Sequence, residues 1–345
     1  MSIKRTAHLL LPLTVLASSV VAPSPAGTTD VEGWRSDIDS IAREIASTHP
    51  HPWHRITADE FATHVEKLKA EVPTLDEEEI IVRAMQLVAL VHDGHTMLRP
   101  VNHPAFTLWF PLRFDQFADG IFITAIDKKY AELVGARVLR FGNLTAQDAF
   151  QRVGSVAFMD SRHSIPKEVP GYISNATILT VLKIIETPHA LPLELELPSG
   201  KKQNVSIPSA EWRAVFGWTR QNYGIPGSGD FVNVFSDKMD RLPLHLKNLL
   251  TEADFYWFKL VPLNWFSDWK QVVLPHSGLN LWVSTLYWQR GEPSDDRGYY
   301  PPDFSVPVTS RDFFSGNDKA LEAILSGKVV TLADVPRGDN SPPPS

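Results

Sequence analysis

The chain has 345 residues, 43% hydrophobic and 21% charged, with 33 basic against 40 acidic residues and a formal net charge of −7. That balance excludes wholesale disorder, and the lack of any basic block excludes the electrostatic footprint of a nucleic-acid binder. There is no cysteine, which rules out disulfides, thiolate metal sites and a cysteine nucleophile.

Residues 1–26 read as a secretory signal: a basic start at Lys4 and Arg5, an apolar uncharged run over 7–22, and small residues at Ser24 and Ala26. Pro12 and the shortness of the run argue against a membrane span. The expectation is a secreted, periplasmic or envelope protein with no stable span after signal cleavage. Three helices come next. Each is announced by a threonine three residues before a glutamate, the spacing of a capping box: Thr29 and Glu32, Thr57 and Glu60, Thr74 and Glu77.

Each box leads into one apolar stripe. The sets are Trp34, Ile38, Ile41 and Ile45, then Phe61, Val65, Leu68 and Val72, then Ile80, Ala84, Leu87 and Val91. A small bundle lets all three faces be buried together. The HPHP run at 49–52 separates the first two helices, because X-Pro steps disfavour helix. Gly94 is expected to end the third.

From Phe106 the pattern turns to strands. TLWFPLRF (107–114), residues 121–125 and GARVLRF (135–141) are predicted strands, with Asp119 and Gly120 as a tight turn. Thr145 and Asp148 cap a predicted helix over 146–153. LPLELEL (191–197) turns at Pro198, Ser199 and Gly200 and returns through 205–207 as a hairpin. Beyond Pro208 the stretch 224–229 is turn-rich, 252–269 is crowded with aromatics, and LNLWVSTLYW (279–288) is a strand. A terminal helix is expected within 311–325, with Leu321, Ile324 and Leu325 apolar, before a proline-rich tail.

The densest polar cluster is His92, Asp93, Gly94, His95 and Thr96. Histidine and aspartate at a helix end are the residue types that ligate zinc or iron, but no HExxH spacing or third ligand is visible nearby. The simpler reading is a turn held by hydrogen bonds from Asp93 and Thr96. His49, His51 and His54 form a second patch, read as a rigid loop between helices, with adventitious metal binding as the alternative. Ser277, beside His276, is the serine most like a motif member. On an extended strand those neighbours point to opposite faces, so His276 does not serve Ser277 as a base. No G-x-S-x-G elbow is present.

LVALVHDGHTMLRP (87–100) resembles the "DGHT" segment in the helical N-terminal region of tail-specific (C-terminal processing) serine peptidases. FPLRFDQFADGIFITAI (110–126) and GARVLRFGNLTAQDAF (135–150) are similar to the next stretch of such peptidases, the second half resembling a PDZ-like module. LPHSGL (274–279) and the stretch to 325 resemble the family's C-terminal part. The structural motif residues carried over are Asp93, Gly94, His95 and Thr96, and Pro275, Ser277 and Gly278.

In the family a catalytic α/β stretch of over a hundred residues holds the serine nucleophile and the lysine base. Here YWFKLVP (256–262) resembles its entry and NWFSDW (264–269) its exit, with almost nothing between. No position matches either catalytic residue, so no catalytic or peptide-binding residue is assigned. The resemblance implies an exported serine-type peptidase relative, inactive as this chain, with a polypeptide substrate or peptide ligand and no cofactor or metal. The alternatives are a PDZ-like binding module without catalysis, or an internally deleted product. The expected fold class is α+β: a signal at 1–26, a helical region at 27–105, a PDZ-like β-rich module at 106–208, a truncated peptidase-domain remnant at 209–335 and a disordered tail at 336–345.

Overall fold

Apolar stripes decide the N-terminal layer. The structure, a computed structural model, describes residues 30–100, 103–161, 164–211, 231–233, 264–289, 306–317, 319 and 322. Helices α1 (Val31–Thr48), α2 (Ala58–Glu71) and α3 (Glu77–Ala89) bury all twelve stripe residues, with Val72 and Val91 just past the helix ends. α3 also buries Ile81, Val82, Met85 and Val88, so it is covered on more than one side and forms the middle of the layer.

The helix starts follow the sequence in one case of three. Thr57 and Glu60 make the reciprocal capping box as expected. For α3 the box is built two residues later, by Asp76 and Glu79. Pro73 sits in a 3₁₀ turn over Val72–Thr74, and Thr74 donates its hydroxyl to the Glu71 carbonyl instead. At α1 the cap is Asp30, which accepts the Gly33 N–H, while Glu32 pairs with Arg35. Gly94 does not end α3. His92 takes the left-handed conformation there, with φ of +54°.

The remaining elements run β1 (Met97–Arg99), β2 (Leu108–Trp109), β3 (Leu112–Phe117), β4 (Gly120–Asp127), β5 (Arg137–Phe141), β6 (Leu144–Thr145), α4 (Ala146–Val153), α5 (Ile165–Glu168) and α6 (Ala176–Val181). They continue with β7 (Ala190–Glu196), β8 (Lys202–Pro208), β9 (Ala210–Glu211), β10 (Phe231–Asn233), β11 (Asn264–Val273), β12 (Asn280–Gln289) and α7 (Ser310–Ser315). The expected strand over 107–114 is broken at Pro111 into β2 and β3, since proline removes a ladder donor. Thr145 caps α4 by accepting the Asp148 N–H.

Strands β10-β4-β5-β7-β8 form one antiparallel sheet in that order, with β3 also on β4 and β6 also on β5. α4 lays Ala149, Phe150 and Val153 into its core, where Phe150 meets Phe141. β2 pairs with β9, and its Trp109 also makes a single antiparallel bridge to Asn175. A second sheet, β1-β12-β11, packs on α1 and α3. The fold is α+β, and one contiguous core runs from Trp34 through the large sheet to Leu281 and Val283 of β12. No described helix is long and apolar enough to cross a membrane. Residues 1–29, 212–230, 234–263, 290–305 and most of 318–345 lie outside the described set, and with them the signal, the 252–263 aromatics, the apolar residues of the expected terminal helix and the tail.

Candidate functional site

Asp93 is the hub of the most connected polar cluster among the described residues. It comes just after the left-handed turn at His92, is buried, and points between α1 and β12. Its Oδ2 accepts three hydrogen bonds: from Thr96 Oγ1 at 2.5 Å, from Ser284 Oγ at 2.6 Å and from His49 Nε2 at 3.2 Å. Its Oδ1 accepts the His95 backbone N–H at 2.9 Å. Thr96 Oγ1 in turn accepts the Ser284 N–H at 3.1 Å. Burial pulls the Asp93 carboxyl upward, but the bonds from His49, Ser284, Thr96 and the His95 backbone outweigh it and hold the group below the ordinary carboxylate range.

The imidazole of His49 is fixed from both sides. Its Nδ1 accepts the His51 N–H at 3.1 Å, so its single proton sits on Nε2 and is donated to Asp93. In a hydrolytic triad the imidazole stands between hydroxyl and carboxylate and keeps one nitrogen ready for the hydroxyl proton. Here the carboxylate stands in the centre instead, and both ring nitrogens of His49 are committed. The arrangement holds the loop at His49 and leaves neither ring nitrogen facing the Ser284 hydroxyl.

A second carboxylate adjoins the hub. Asp160 accepts the Gly94 N–H on Oδ1 at 2.9 Å, and a Cβ at residue 94 would lie 2.6 Å from its Oδ2. The glycine of the HDGHT run is therefore reserved for this close approach, not for a helix end. Burial and then the Asp93 charge push the Asp160 carboxyl up to about 7, against opposing help from the Gly94 N–H and Lys167. Beside the hub, α2, α3 and residues 154–159 enclose an open cleft of about 320 Å³ with Leu68, Leu87 and Leu90 on its floor and Lys67, Arg83 and His92 among its polar lining.

The late motif is held by another carboxylate. Asp37, buried on α1, accepts the His276 N–H and the Ser277 N–H, each at 2.9 Å, and the Ser277 hydroxyl at 2.5 Å. His276 and Ser277 lie in the β11–β12 turn and not on an extended strand. His276 turns to Trp34 and to Asp30, at 3.5 Å, away from the serine hydroxyl. Pro275 is exposed in the same turn, and Gly278 supplies its positive φ of +70°. Thus the structure brings Asp93, Thr96 and the backbone of His95 together with Ser284, and places Pro275, Ser277 and Gly278 in a separate clamp on α1.

His54 stacks on His49 and has its ring nitrogens against the carbonyls of His51 and His92. Among the described residues no group of three His, Asp or Glu side chains is arranged to hold a metal ion.

No family model matches the sequence, and no curated protein matches it. Among solved structures the chain is similar to CPAF, a chlamydial serine protease. For mature CPAF the TM-score is 0.39 at 12% identity, covering 74% of this chain and 47% of that one. For mature CPAF complexed with lactacystin the TM-score is 0.38 at 11% identity, covering 72% and 47%. A serine-to-alanine mutant of CPAF gives 0.38 at 11% identity, covering 52% and 34%. The chain therefore spans between a third and a half of the length of these proteins.

Sequence reasoning missed Asp37, Ser284 and Asp160. Asp37 and Ser284 carry a weak signal, a carboxylate next to Ile38 of the α1 stripe and a hydroxyl, followed by Thr285, inside a largely apolar strand. Asp160 carries none, since nothing in its neighbourhood is periodic.

Proposed function

We propose that this chain is an exported relative of the tail-specific serine peptidases that binds polypeptide and does not cleave it. The reading rests on the HDGHT and LPHSGL motifs and on the secretory pattern of residues 1–26. The observation that carries it is the fate of the motif-region serines: Ser277 gives its hydroxyl hydrogen to Asp37 and Ser284 gives its own to Asp93. A nucleophilic serine needs a base to take that hydrogen, and a carboxylate already bonded to other donors is a poor one. Polypeptide is captured by strand addition, and β8 is paired only with β7 among the described residues, leaving a ladder edge to extend.

The test is incubation of the full chain with a denatured reporter polypeptide, then pull-down and intact-mass measurement. The reporter is expected to be retained and uncut. Fragments of the reporter would contradict the non-catalytic part, and an uncut reporter that is not retained would contradict the binding part.

A further inference from the structure

The outer face of the β11–β12 hairpin is rich in exposed hydrophobic side chains and carries no charged residue of the two strands. Register pairs Trp265 with Trp288, Ser267 with Leu286, Trp269 with Ser284, Gln271 with Trp282 and Val273 with Asn280. Strand alternation puts these residues on one face, apart from Ser284, whose hydroxyl turns to Asp93, and none of them is charged. Four of the five large hydrophobics most exposed among the described residues lie here: Trp269 at 52%, Val273 at 61%, Leu286 at 49% and Trp288 at 46%. Their neighbours form a tryptophan platform, with Trp265 stacked on Trp288 at 6.4 Å between ring centroids and Trp269 edge-on to Trp282 at 6.5 Å.

The opposite face explains why this one is left over. Phe266, Leu281 and Val283 are buried on it, and Lys270 reaches Glu44 of α1 at 2.9 Å. The hairpin is thus already docked on one side, and the exposed residues of the other row point away from that contact. Asp268 is a carboxylate at its margin. Its positive φ of +52° re-aims the side chain, which accepts the Trp288 indole N–H at 2.8 Å.

We propose that this face is the contact between two copies of the chain, packed hairpin on hairpin about a two-fold axis near Trp269. Three features select a second copy. Every interface of this kind is self-complementary, so the uncharged hairpin row meets its own copy even though each chain carries a net charge of −7, with Arg99 of β1, in register with Asn280, at the edge of the row. Its composition, rich in tryptophan and free of Lys, Glu and Asp, is that of the centre of an interface and not of free surface. The area also fits. Taking roughly 150–250 Å² for a large side chain, the four exposed residues leave about 400 Å² of apolar surface open on each copy. Pairing two copies removes about 800 Å² before Trp265, Trp282 and the polar rim of Ser267, Gln271 and Asn280 are counted, within reach of the roughly 1,200–2,000 Å² of a specific interface.

Sedimentation velocity on the full chain tests this, together with Trp269→Gln and, on the other strand, Leu286→Gln. The wild type is expected to sediment as a dimer at micromolar concentration. Each variant is expected to shift its dissociation constant up by at least tenfold with an unchanged circular dichroism spectrum. The absence of cysteine makes Gln271→Cys a second, independent probe: a bis-maleimide with a reach of roughly 10–15 Å, matched to sheets packed about 10 Å apart, is expected to link two copies through residue 271 in the wild-type background and not with Trp269→Gln. A monomeric wild type, a dimer indifferent to both glutamine variants, open-ended aggregates or no crosslink at residue 271 would each overturn the proposal.

Discussion

Asp37 and Ser277 are 240 residues apart in sequence, yet the Asp37 carboxylate receives both the backbone N–H and the hydroxyl hydrogen of Ser277, at 2.9 and 2.5 Å. The same double contact recurs at the end of the chain. Asp119, in the turn between β3 and β4, receives the Ser310 N–H at 2.8 Å and the Ser310 hydroxyl at 2.6 Å. With Asp93 and Ser284 this makes three early carboxylates, each fastening a late serine. Burial acts to raise the Asp119 carboxyl, but the two Ser310 bonds win and hold it below its ordinary value.

Ser277→Ala is therefore expected to lower stability by about 1.5–3 kcal/mol, the usual value of a hydrogen bond to a charged group. Asp37→Ala is expected to cost more, because the N–H groups of His276 and Ser277 then lose their acceptor as well. Urea midpoints at unchanged slope measure both. Equal effects from the two substitutions would show that the backbone donors find other partners.

Gly33 lies under the His276 ring, and a Cβ there would come within 2.3 Å of Nδ1. Gly33→Ala is expected to destabilise the wild type by displacing the ring. In a His276→Ala background it is expected to stabilise instead, by the roughly 0.5–1 kcal/mol that alanine gains over glycine inside a helix. A double-mutant cycle reads the sign change, and additive effects would refute the contact.

Asp160 gives a pH signature. Its folded value near 7 lies above its unfolded value, so the folded state holds the extra proton between about pH 4 and 7. Stability from this group is greatest at the acid end of that window and declines as pH rises through 7. Asp160→Asn, which keeps the oxygen for the Gly94 N–H, is expected to raise the melting temperature at pH 8 and change it little at pH 4. A gain of equal size at both pH values would contradict the assignment.

Asp93 has the opposite sign. Its folded value is held below the ordinary one, so its contribution is full above about pH 4 and lost as pH falls through the folded value. Asp93→Asn puts an NH₂ group among donors that need an acceptor, and a loss of about 3 kcal/mol is expected at neutral pH. The loss is expected to shrink toward acid pH, where the wild-type carboxyl is itself protonated. Thermal melts across that range check the trend.

Local signals in the sequence are legible where they are redundant. Thr57 and Glu60 flank a clean stripe, so both cap and helix can be read from the sequence. Before α3 the residues Asp76, Glu77, Glu78 and Glu79 offer several box registers, and Pro73 closes a 3₁₀ turn that moves the cap from Thr74 to Asp76. The hairpin of β7 and β8 is legible from its alternation and from Gly200, whose φ is +81°. The illegible part depends on partners far away in the chain. His92 takes the positive φ that Gly94 would ordinarily take, because Gly94 is needed bare against Asp160, 66 residues on. The HDGHT run marks Asp93, but nothing local says that its partners are His49 and Ser284.

The aromatics of β11 divide in the same way. Phe266 is buried against His49 and His54, whereas Trp269, on the other face of the same strand, is half exposed. Alternation predicts that one face is hidden, but not which.

The most direct test of the account is an irreversible serine-directed phosphonate probe, applied to the natively folded full chain near neutral pH, with adducts mapped by peptide mass spectrometry. With Ser277 bonded to Asp37 and Ser284 bonded to Asp93, neither is expected to be labelled above the level of an unfolded control. Stoichiometric labelling of one serine in the folded chain, with parallel loss of any cleavage of a denatured reporter, would show an activated nucleophile and contradict the non-catalytic reading.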